Sequence, residues 1–103
     1  MSTAAETRAR IVSGASLGAP GPADPERCSA VAIEALSHAA GEGFGMTSLS
    51  LDVASAKLGA GDVEIRARVE KRTWSIAFAS AEAWLGEQLV FLAQGLFTRR
   101  RQD

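Results

Sequence analysis

The chain has 103 residues, enough for one domain with a single core and too few for a two-domain enzyme. Eleven Lys and Arg against twelve Asp and Glu give a net charge of -1, so the positive field that binds nucleic acids or anionic membranes is missing. The apolar fraction of 47% includes twenty alanines and no tyrosine, which predicts a core of small side chains. Because such a core buries little area against conformational entropy, we expect at least a homodimer.

The cysteine count and the amino-terminal sequence bear on the compartment. Cys28 is the single cysteine, so an intrachain disulfide is excluded and nothing favours an oxidising compartment. Residues 1–16 contain no long apolar segment, and no run approaches the roughly 18 apolar residues of a membrane span. We therefore expect a cytoplasmic protein. Residues 1–6 are small and polar, which predicts a disordered start.

The first half of the chain predicts one strand, one loop and one helix. Residues 7–15 read as a short strand, and residues 17–23 read as a loop because they alternate glycine and proline. The run Asp24-Pro25-Glu26 combines an N-cap acceptor, a proline at the first helical position and an acid in the first turn, so a helix should begin there and end near residue 40. Cys28 falls in its first turn, where the helix dipole favours a thiolate, although free cysteines are more often small buried hydrophobic residues.

After residue 45 the apolar period changes from helical to two, which is typical of half-buried strands. Four strands are predicted, at residues 46–54, 62–70, 74–84 and 88–98, and residues 99–103 are predicted to form a basic tail. One face of the strand at 74–84 is almost pure alanine, which would let a helix approach the sheet closely. The alanines that define this face are Ala77, Ala79, Ala81 and Ala83.

The element order is strand, loop, helix and then an antiparallel meander of four strands, which predicts an α+β fold. One helix cannot cover both faces of a five-stranded sheet. We therefore expect the uncovered face, or an edge of the sheet, to meet another copy of the chain.

Three stretches resemble the hotdog-fold thioesterase superfamily, most of all the acyl-CoA thioesterases of the phenylacetate-pathway and 4-hydroxybenzoyl-CoA type. They are GDVEIRARV (61–69), IAFASAE (76–82) and LVFLAQGLFT (89–98), together with the connection at 56–62. They match the family's Gly-Asp before a long alternating strand, its Ala-Phe in the next strand, and its leu-val-ala-x-gly-x-phe ending. The resemblance covers about residues 25–100.

This resemblance implies a hotdog fold, in which one central helix is wrapped by a curved antiparallel sheet of about five strands. It also implies a homodimer, often paired again into a tetramer, with acyl-CoA sites between subunits. Hydrolysis of a small or medium acyl thioester would need no metal and no cofactor besides the coenzyme A of the substrate. We expect neither nucleic acid nor a membrane as a partner.

The start of the helix departs from the family pattern. Many members begin this helix with His-Gly-Gly, whose backbone amides polarise the thioester carbonyl, whereas this chain has Asp24-Pro25-Glu26-Arg27. Pro25 has no amide hydrogen, and a carboxylate nearby would repel a developing oxyanion. A non-catalytic hotdog that binds acyl thioesters, or that serves in assembly, therefore remains the alternative to a thioesterase.

The candidate catalytic residues are Glu34 and His38, which share a helix face because they are four residues apart. The resemblance places the family's catalytic carboxylate at Glu34, about two turns after the helix begins. A carboxylate there could act as the nucleophile or as a base on water, and the imidazole could orient it or relay a proton. The alternative is an exposed pair on the solvent side of the helix.

Two hydroxyls and three arginines are the candidate substrate-binding residues. The hydroxyls begin the strand after the helix, where the family often supplies a group that positions water. The arginines cluster around the hairpin near residue 71 and could hold the phosphates of coenzyme A, or they could simply solvate one face of the sheet. These residues are Thr47, Ser48, Arg66, Arg68 and Arg72.

Overall fold

The computed structural model describes residues 7–54, 57–59 and 61–100. The elements in chain order are β1 (Arg8–Ser13), a 3-10 turn (Gly14–Leu17), β2 (Gly21–Pro22), α1 (Pro25–Ala40), β3 (Phe44–Val53), β4 (Lys57–Leu58), β5 (Asp62–Arg72), β6 (Ile76–Leu85) and β7 (Gln88–Arg99). Five of the strands form one antiparallel sheet in the order β1-β5-β6-β7-β3, and β2 pairs with β4 in a separate two-stranded ribbon. The predicted α+β fold, with one helix against a sheet of five strands, is confirmed.

The helix begins and ends where the sequence predicts. The carboxylate of Asp24 accepts a hydrogen bond from the Arg27 amide at 3.3 Å, and Pro25 occupies the first helical position, where a missing amide hydrogen costs nothing. At the other end Gly41 has a φ of +92° and donates its amide to the Ser37 carbonyl. The buried stripe faces the sheet along the whole helix. It consists of Cys28, Ala32, Ala35, Leu36, Ala39 and Ala40.

Small side chains bring the helix close to the sheet. The alanine face of β6 is buried, as predicted, with Ala77 and Ala83 fully covered. On β7, a Cβ added at Gly95 would lie 2.9 Å from Phe97 Cε1 and 3.4 Å from Leu36 Cδ1 of the helix. The core thus combines small residues where helix and sheet meet with a few large buried side chains, among them Phe91 and Phe97.

The prediction of a four-strand meander is wrong in one respect. β3 pairs with β7 and not with β5, whose free side is taken by β1, so the meander contains only β5, β6 and β7. With that side of β5 occupied by β1, β3 can join the sheet only at its other edge, beside β7. The helix contacts β5, β6, β7 and β3, and it lies in the chain between the two edge strands β1 and β3.

Several boundaries differ from the prediction by one or two residues. β3 begins at Phe44, and β6 begins at Ile76, which leaves Trp74 in the hairpin before it. β7 continues to Arg99, so this residue belongs to the sheet and not to the basic tail. Residues 1–6 and 101–103, and part of the connection at 56–62, lie outside the described residues.

The face of the sheet opposite the helix is open. Phe78 and Leu92 lie on it and are each 42% exposed, which agrees with the expectation that one helix covers one face only. Within the described ranges, no helix has the length and hydropathy that crossing a membrane requires.

Candidate functional site

An open groove of about 1690 Å³ runs beside the carboxyl-terminal half of α1. Its walls are the exposed side of the helix, the turn between α1 and β3, the hairpin between β5 and β6, and the end of β7. Glu34 and His38 line it on the helix side, and Trp74 and Arg99 line it on the opposite side. The structure thus brings both predicted catalytic residues into one solvent-filled groove.

Each of these two residues contacts an arginine of β1. Arg10 forms an ion pair with Glu34, and Arg8 Nη1 lies 3.1 Å from His38 Nδ1. Four residues of a helix rise about 6 Å, and two residues of a strand rise about 6.6 to 6.8 Å. The two spacings match, so the edge strand and the helix are joined by two parallel contacts about one helical turn apart.

The idea that His38 orients Glu34 is not supported by the contacts. Their side chains lie on the same helix face, as predicted, but in the described part of the chain they make no hydrogen bond to each other. Glu34 remains 64% exposed, and Arg10 donates to its Oε1. The arginines were missed by the sequence reasoning because alternation on β1 marks Arg8 and Arg10 only as polar positions of an edge strand.

The amino-terminal turn of the helix does not supply carbonyl-polarising amides beside Glu34. Pro25 has no amide hydrogen, and the Arg27 amide is taken by Asp24. Glu34 also lies nine residues from Pro25, which corresponds to about 13.5 Å along the helix axis. Within one subunit the helix-start amides are therefore too far from Glu34 to act on the same carbonyl.

The two candidate hydroxyls point to different places. Thr47 lies at an irregularity between Met46 and Ser48, and its Oγ1 donates to the Leu96 carbonyl at 3.1 Å. Ser48 pairs in register with Leu96 and borders a shallow depression around Phe78 on the open face of the sheet. Neither lines the groove that holds Glu34 and His38.

Arg66 and Arg68 lie on the open face of β5, because the alternating Ile65 and Ala67 are buried beneath the helix. Both are already paired with acids of the same strand, each at 2.9 Å: Arg66 with Glu64 and Arg68 with Glu70. They stand on the side of the sheet away from the groove. Within one subunit they and the candidate catalytic pair cannot contact the same small ligand.

Glu70 is held in its ionised form by its surroundings. The Ser80 hydroxyl donates to Glu70 Oε2 at 2.5 Å, and this hydrogen bond is the main reason that the pKa of the carboxyl lies below its usual value. Partial desolvation opposes the shift, and Arg68 adds to it. The open face therefore carries an ordered Ser-Glu-Arg network beside Arg66 rather than a row of unpaired cations.

Arg72 caps the helix from the end of β5. Its Nη2 donates to the Ala40 carbonyl at 2.5 Å, at the helix terminus, where a positive charge complements the dipole. The same guanidinium lies 5.5 Å from the centroid of the Phe44 ring. Arg72 thus has a structural role, and phosphate binding by it stays a prediction.

A column of alternating cations and aromatic rings forms the far wall of the groove. The Arg99 guanidinium lies 4.6 Å from the Phe44 ring and 4.9 Å from the Trp74 ring, and the Arg72 guanidinium lies 5.5 Å from Phe44. Trp74 is 78% exposed, so it is not part of the subunit core. The residues come from three strands and one hairpin, and for that reason no periodicity in the sequence predicts the column.

Cys28 is not a reactive thiol. It is fully buried, and burial, with the Asp24 charge as a second cause, raises the pKa of its thiol. The helix dipole does not overcome these effects. Within residues 7–54, 57–59 and 61–100, no group of three His, Cys, Asp or Glu side chains is placed to hold a metal ion.

Comparison with known proteins yields matches in structure only. No protein-family model and no curated protein sequence matches the chain. Zebra fish thioesterase superfamily member 2 aligns with a TM-score of 0.78 at 15% identity, over 97% of this chain and 79% of that one. A mutant of the phenylacetic acid degradation protein PaaI from Thermus thermophilus aligns at 0.69 and 27% identity, over 91% and 84%. A hypothetical thioesterase from Streptococcus pneumoniae, crystallised with coenzyme A, aligns at 0.69 and 12%, over 93% and 78%.

The helix wrapped by a curved five-stranded sheet is thus the hotdog fold of the thioesterase superfamily. Among its structural relatives are PaaI-like phenylacetic acid degradation proteins, the branch that the sequence resemblance indicates. By fold the chain is therefore similar to proteins of the thioesterase superfamily, including PaaI-like ones.

Proposed function

We propose that the protein hydrolyses a small or medium acyl-CoA thioester at a site between two subunits. The observation that carries this proposal is the position of Glu34, an exposed carboxylate in an open groove on a hotdog helix. The coenzyme A in the Streptococcus pneumoniae relative supports the choice of substrate class. We expect no cofactor besides the coenzyme A of the substrate, and a cytoplasmic location.

Glu34 can perform the central step through one of its oxygens. Arg10 donates to Oε1, which leaves Oε2 to accept a proton from water or to attack the thioester carbon. With Glu34 as the base, water adds to the carbonyl carbon, the carbon–sulfur bond breaks, and the departing sulfur receives the proton. The products are a carboxylic acid and a thiol.

Two features support a site between subunits. The groove is open to solvent, whereas an acyl site needs walls that hold the thioester and exclude bulk water. In the described part of the chain β3 forms one edge of the sheet, and a ten-residue unpaired edge is a surface that another strand can extend. A second copy placed there would lie beside the groove at Phe44.

The positions of the arginines on the open face are also consistent with a site between subunits. Because Arg66 and Arg68 lie across the sheet from Glu34, they can serve only a substrate bound to a different subunit. We therefore retain Thr47, Ser48, Arg66, Arg68 and Arg72 as predicted substrate contacts of an assembled dimer or tetramer.

The experiment is an assay of purified protein against a panel of short, medium and aryl acyl-CoA thioesters, with detection of the released thiol. We expect turnover of at least one thioester and a loss of about 100-fold or more in Glu34→Gln, as is usual when a general base is removed. Glu42→Gln is the matched control, because Glu42 is a second exposed carboxylate of the same groove. Full activity of Glu34→Gln would rule out the mechanism, and inactivity of the wild type on the whole panel would rule out the function.

The second candidate is a non-catalytic hotdog that binds an acyl thioester. Pro25 at the helix start and the neutralisation of Glu34 by Arg10 favour it. Calorimetric titration with a non-hydrolysable thioether analogue of acyl-CoA distinguishes the two functions. Binding of the analogue without hydrolysis of the thioester supports the non-catalytic protein.

A further inference from the structure

We propose that Arg8 is a positioning residue that holds His38 in the tautomer with its proton on Nε2, so that this N–H donates a hydrogen bond to the thioester carbonyl. The tautomer follows from contacts within one subunit. The donor role rests on the proposed thioester hydrolysis. His38 would then take the role that helix-start amides have in the family's His-Gly-Gly members.

The tautomer follows from the chemistry of the contact. Arg8 Nη1 lies 3.1 Å from His38 Nδ1, within hydrogen-bond distance. A guanidinium carries five N–H donors and no acceptor, so the nitrogen that it contacts must present a lone pair. Nδ1 is therefore the acceptor, and the ring proton is on Nε2. In this state His38 is a hydrogen-bond donor toward the groove and not a base.

Contacts with the sheet and with the helix hold Arg8 in position. Arg8 pairs in register with Ala67 of β5, so its backbone belongs to the sheet ladder. One helical turn away, Arg10 binds Glu34 and fixes the register of strand against helix. The imidazole is thus held at one nitrogen, while the ring lines the groove beside Glu34.

The reaction needs a donor at this place. Hydrolysis of a thioester develops negative charge on the carbonyl oxygen, and a preorganised N–H aimed at that oxygen is a major source of rate enhancement. Within a subunit the helix start cannot provide it, since Pro25, which itself has no amide hydrogen, lies about 13.5 Å from Glu34 along the helix axis. The positive charge of Arg8 behind the ring strengthens His38 Nε2–H as a donor.

In the proposed reaction Glu34 carries the proton, and His38 acts only as a hydrogen-bond donor. Water gives its proton to Glu34 as it adds to the carbonyl carbon, and His38 Nε2–H holds the resulting oxyanion. When the oxyanion collapses, the carbon–sulfur bond breaks and the proton on Glu34 passes to the sulfur. His38 neither gains nor loses a proton.

The first test reads the tautomer directly and needs no activity. Since the chain contains one histidine, long-range 1H–15N correlation spectra show a single imidazole. We expect the proton on Nε2 in the wild type and in Arg8→Lys. Arg8→Glu should move it to Nδ1, because a carboxylate accepts and cannot donate. Lys57→Glu, the same charge reversal at an exposed residue of β4, should leave the spectrum unchanged. Identical tautomers in the wild type and Arg8→Glu would overturn the proposal.

The second test is kinetic and separates a donor from a base. Arg8→Glu should lower kcat by about 100-fold, the usual cost of losing an oxyanion donor, with KM within about twofold, and Arg8→Lys should keep most of the activity. His38→Gln retains an N–H donor and should be at least tenfold more active than His38→Ala. Equal activities of these two variants would overturn the donor role. Absence of turnover in the wild type would overturn it together with the proposed function, whereas the tautomer is decided separately by the spectra.

Discussion

Arg10 on β1 forms an ion pair with Glu34 on α1, and this contact ties an edge strand of the sheet to the exposed side of the helix. A second contact, between Arg8 and His38, lies one helical turn away. Because the strand and helix spacings match over this distance, both contacts form without distortion of either element. Two residues that line the groove, Glu34 and His38, therefore contact the edge strand β1.

We predict a small but measurable coupling between Arg10 and Glu34. Both side chains are about half exposed or more, so a double-mutant cycle with Arg10→Ala and Glu34→Ala should give about 0.2 to 1 kcal/mol. The coupling should shrink when salt is raised, because solvent-exposed pairs are screened. Chemical denaturation at low and high salt measures it. A coupling that does not change with salt would contradict an exposed ion pair.

Gly95→Ala should destabilise the protein by about 1 to 3 kcal/mol, the usual cost of overpacking a filled core. The new methyl would lie 2.9 Å from Phe97, which is fully buried, and 3.2 Å from Met46 Cε. The matched control is Gly59→Ala, where an added Cβ has no atom within 4 Å. Thermal and chemical denaturation measure the stability of each variant, and equal stabilities would contradict the tight packing of Phe97 and Met46 around Gly95.

Arg72→Met should destabilise the protein by about 1 kcal/mol through loss of a charged cap at the helix end. The methionine keeps an apolar chain beside Phe44 but cannot donate to the Ala40 carbonyl. Lys71→Met, at the exposed neighbouring residue, serves as the control. Denaturation in a buffer without phosphate measures the effect apart from any ligand. Unchanged stability of Arg72→Met would leave phosphate binding as its main role.

Ser80→Ala should raise the pKa of Glu70 toward its usual value, because the Ser80 hydrogen bond is the largest cause of its lowered pKa. A carboxyl with a lowered pKa stabilises the folded state above its unfolded pKa, and this contribution is lost as pH falls through the folded pKa. The variant should therefore lose less stability on acidification than the wild type. Carboxyl 13C titration by NMR gives the pKa, and Ser50→Ala on the same face is the control. An unchanged titration of Glu70 in Ser80→Ala would contradict the hydrogen bond.

The local elements of this fold could be predicted because their signals are local. Asp24 and Pro25 mark the start of the helix through backbone chemistry, and the alanines of β6 show their buried face by alternation. The strand order could not be predicted in the same way. Whether β3 joins β5 or β7 depends on which side of β5 the distant strand β1 occupies, and no short pattern contains that information.

For the candidate site, too, the sequence predicted what depends on short spacing and missed what depends on packing between elements. Spacing placed Glu34 and His38 on one face of the helix, and the structure agrees. Their partners Arg8 and Arg10 are 24 to 30 residues away in sequence, and only the packing of β1 beside α1 brings them together. The same holds for the column of Phe44, Trp74 and the two arginines around them.

By itself the sequence determined that a small, alanine-rich chain folds as one helix against strands, since periodicity and capping act over a few residues. The tertiary structure decided which charges meet: Glu34 with Arg10, His38 with Arg8, and Arg72 with the end of the helix. The physical reason is that an ion pair or a tautomer depends on separations of a few ångströms between elements far apart in the chain. Such separations exist only after the helix has packed against the sheet.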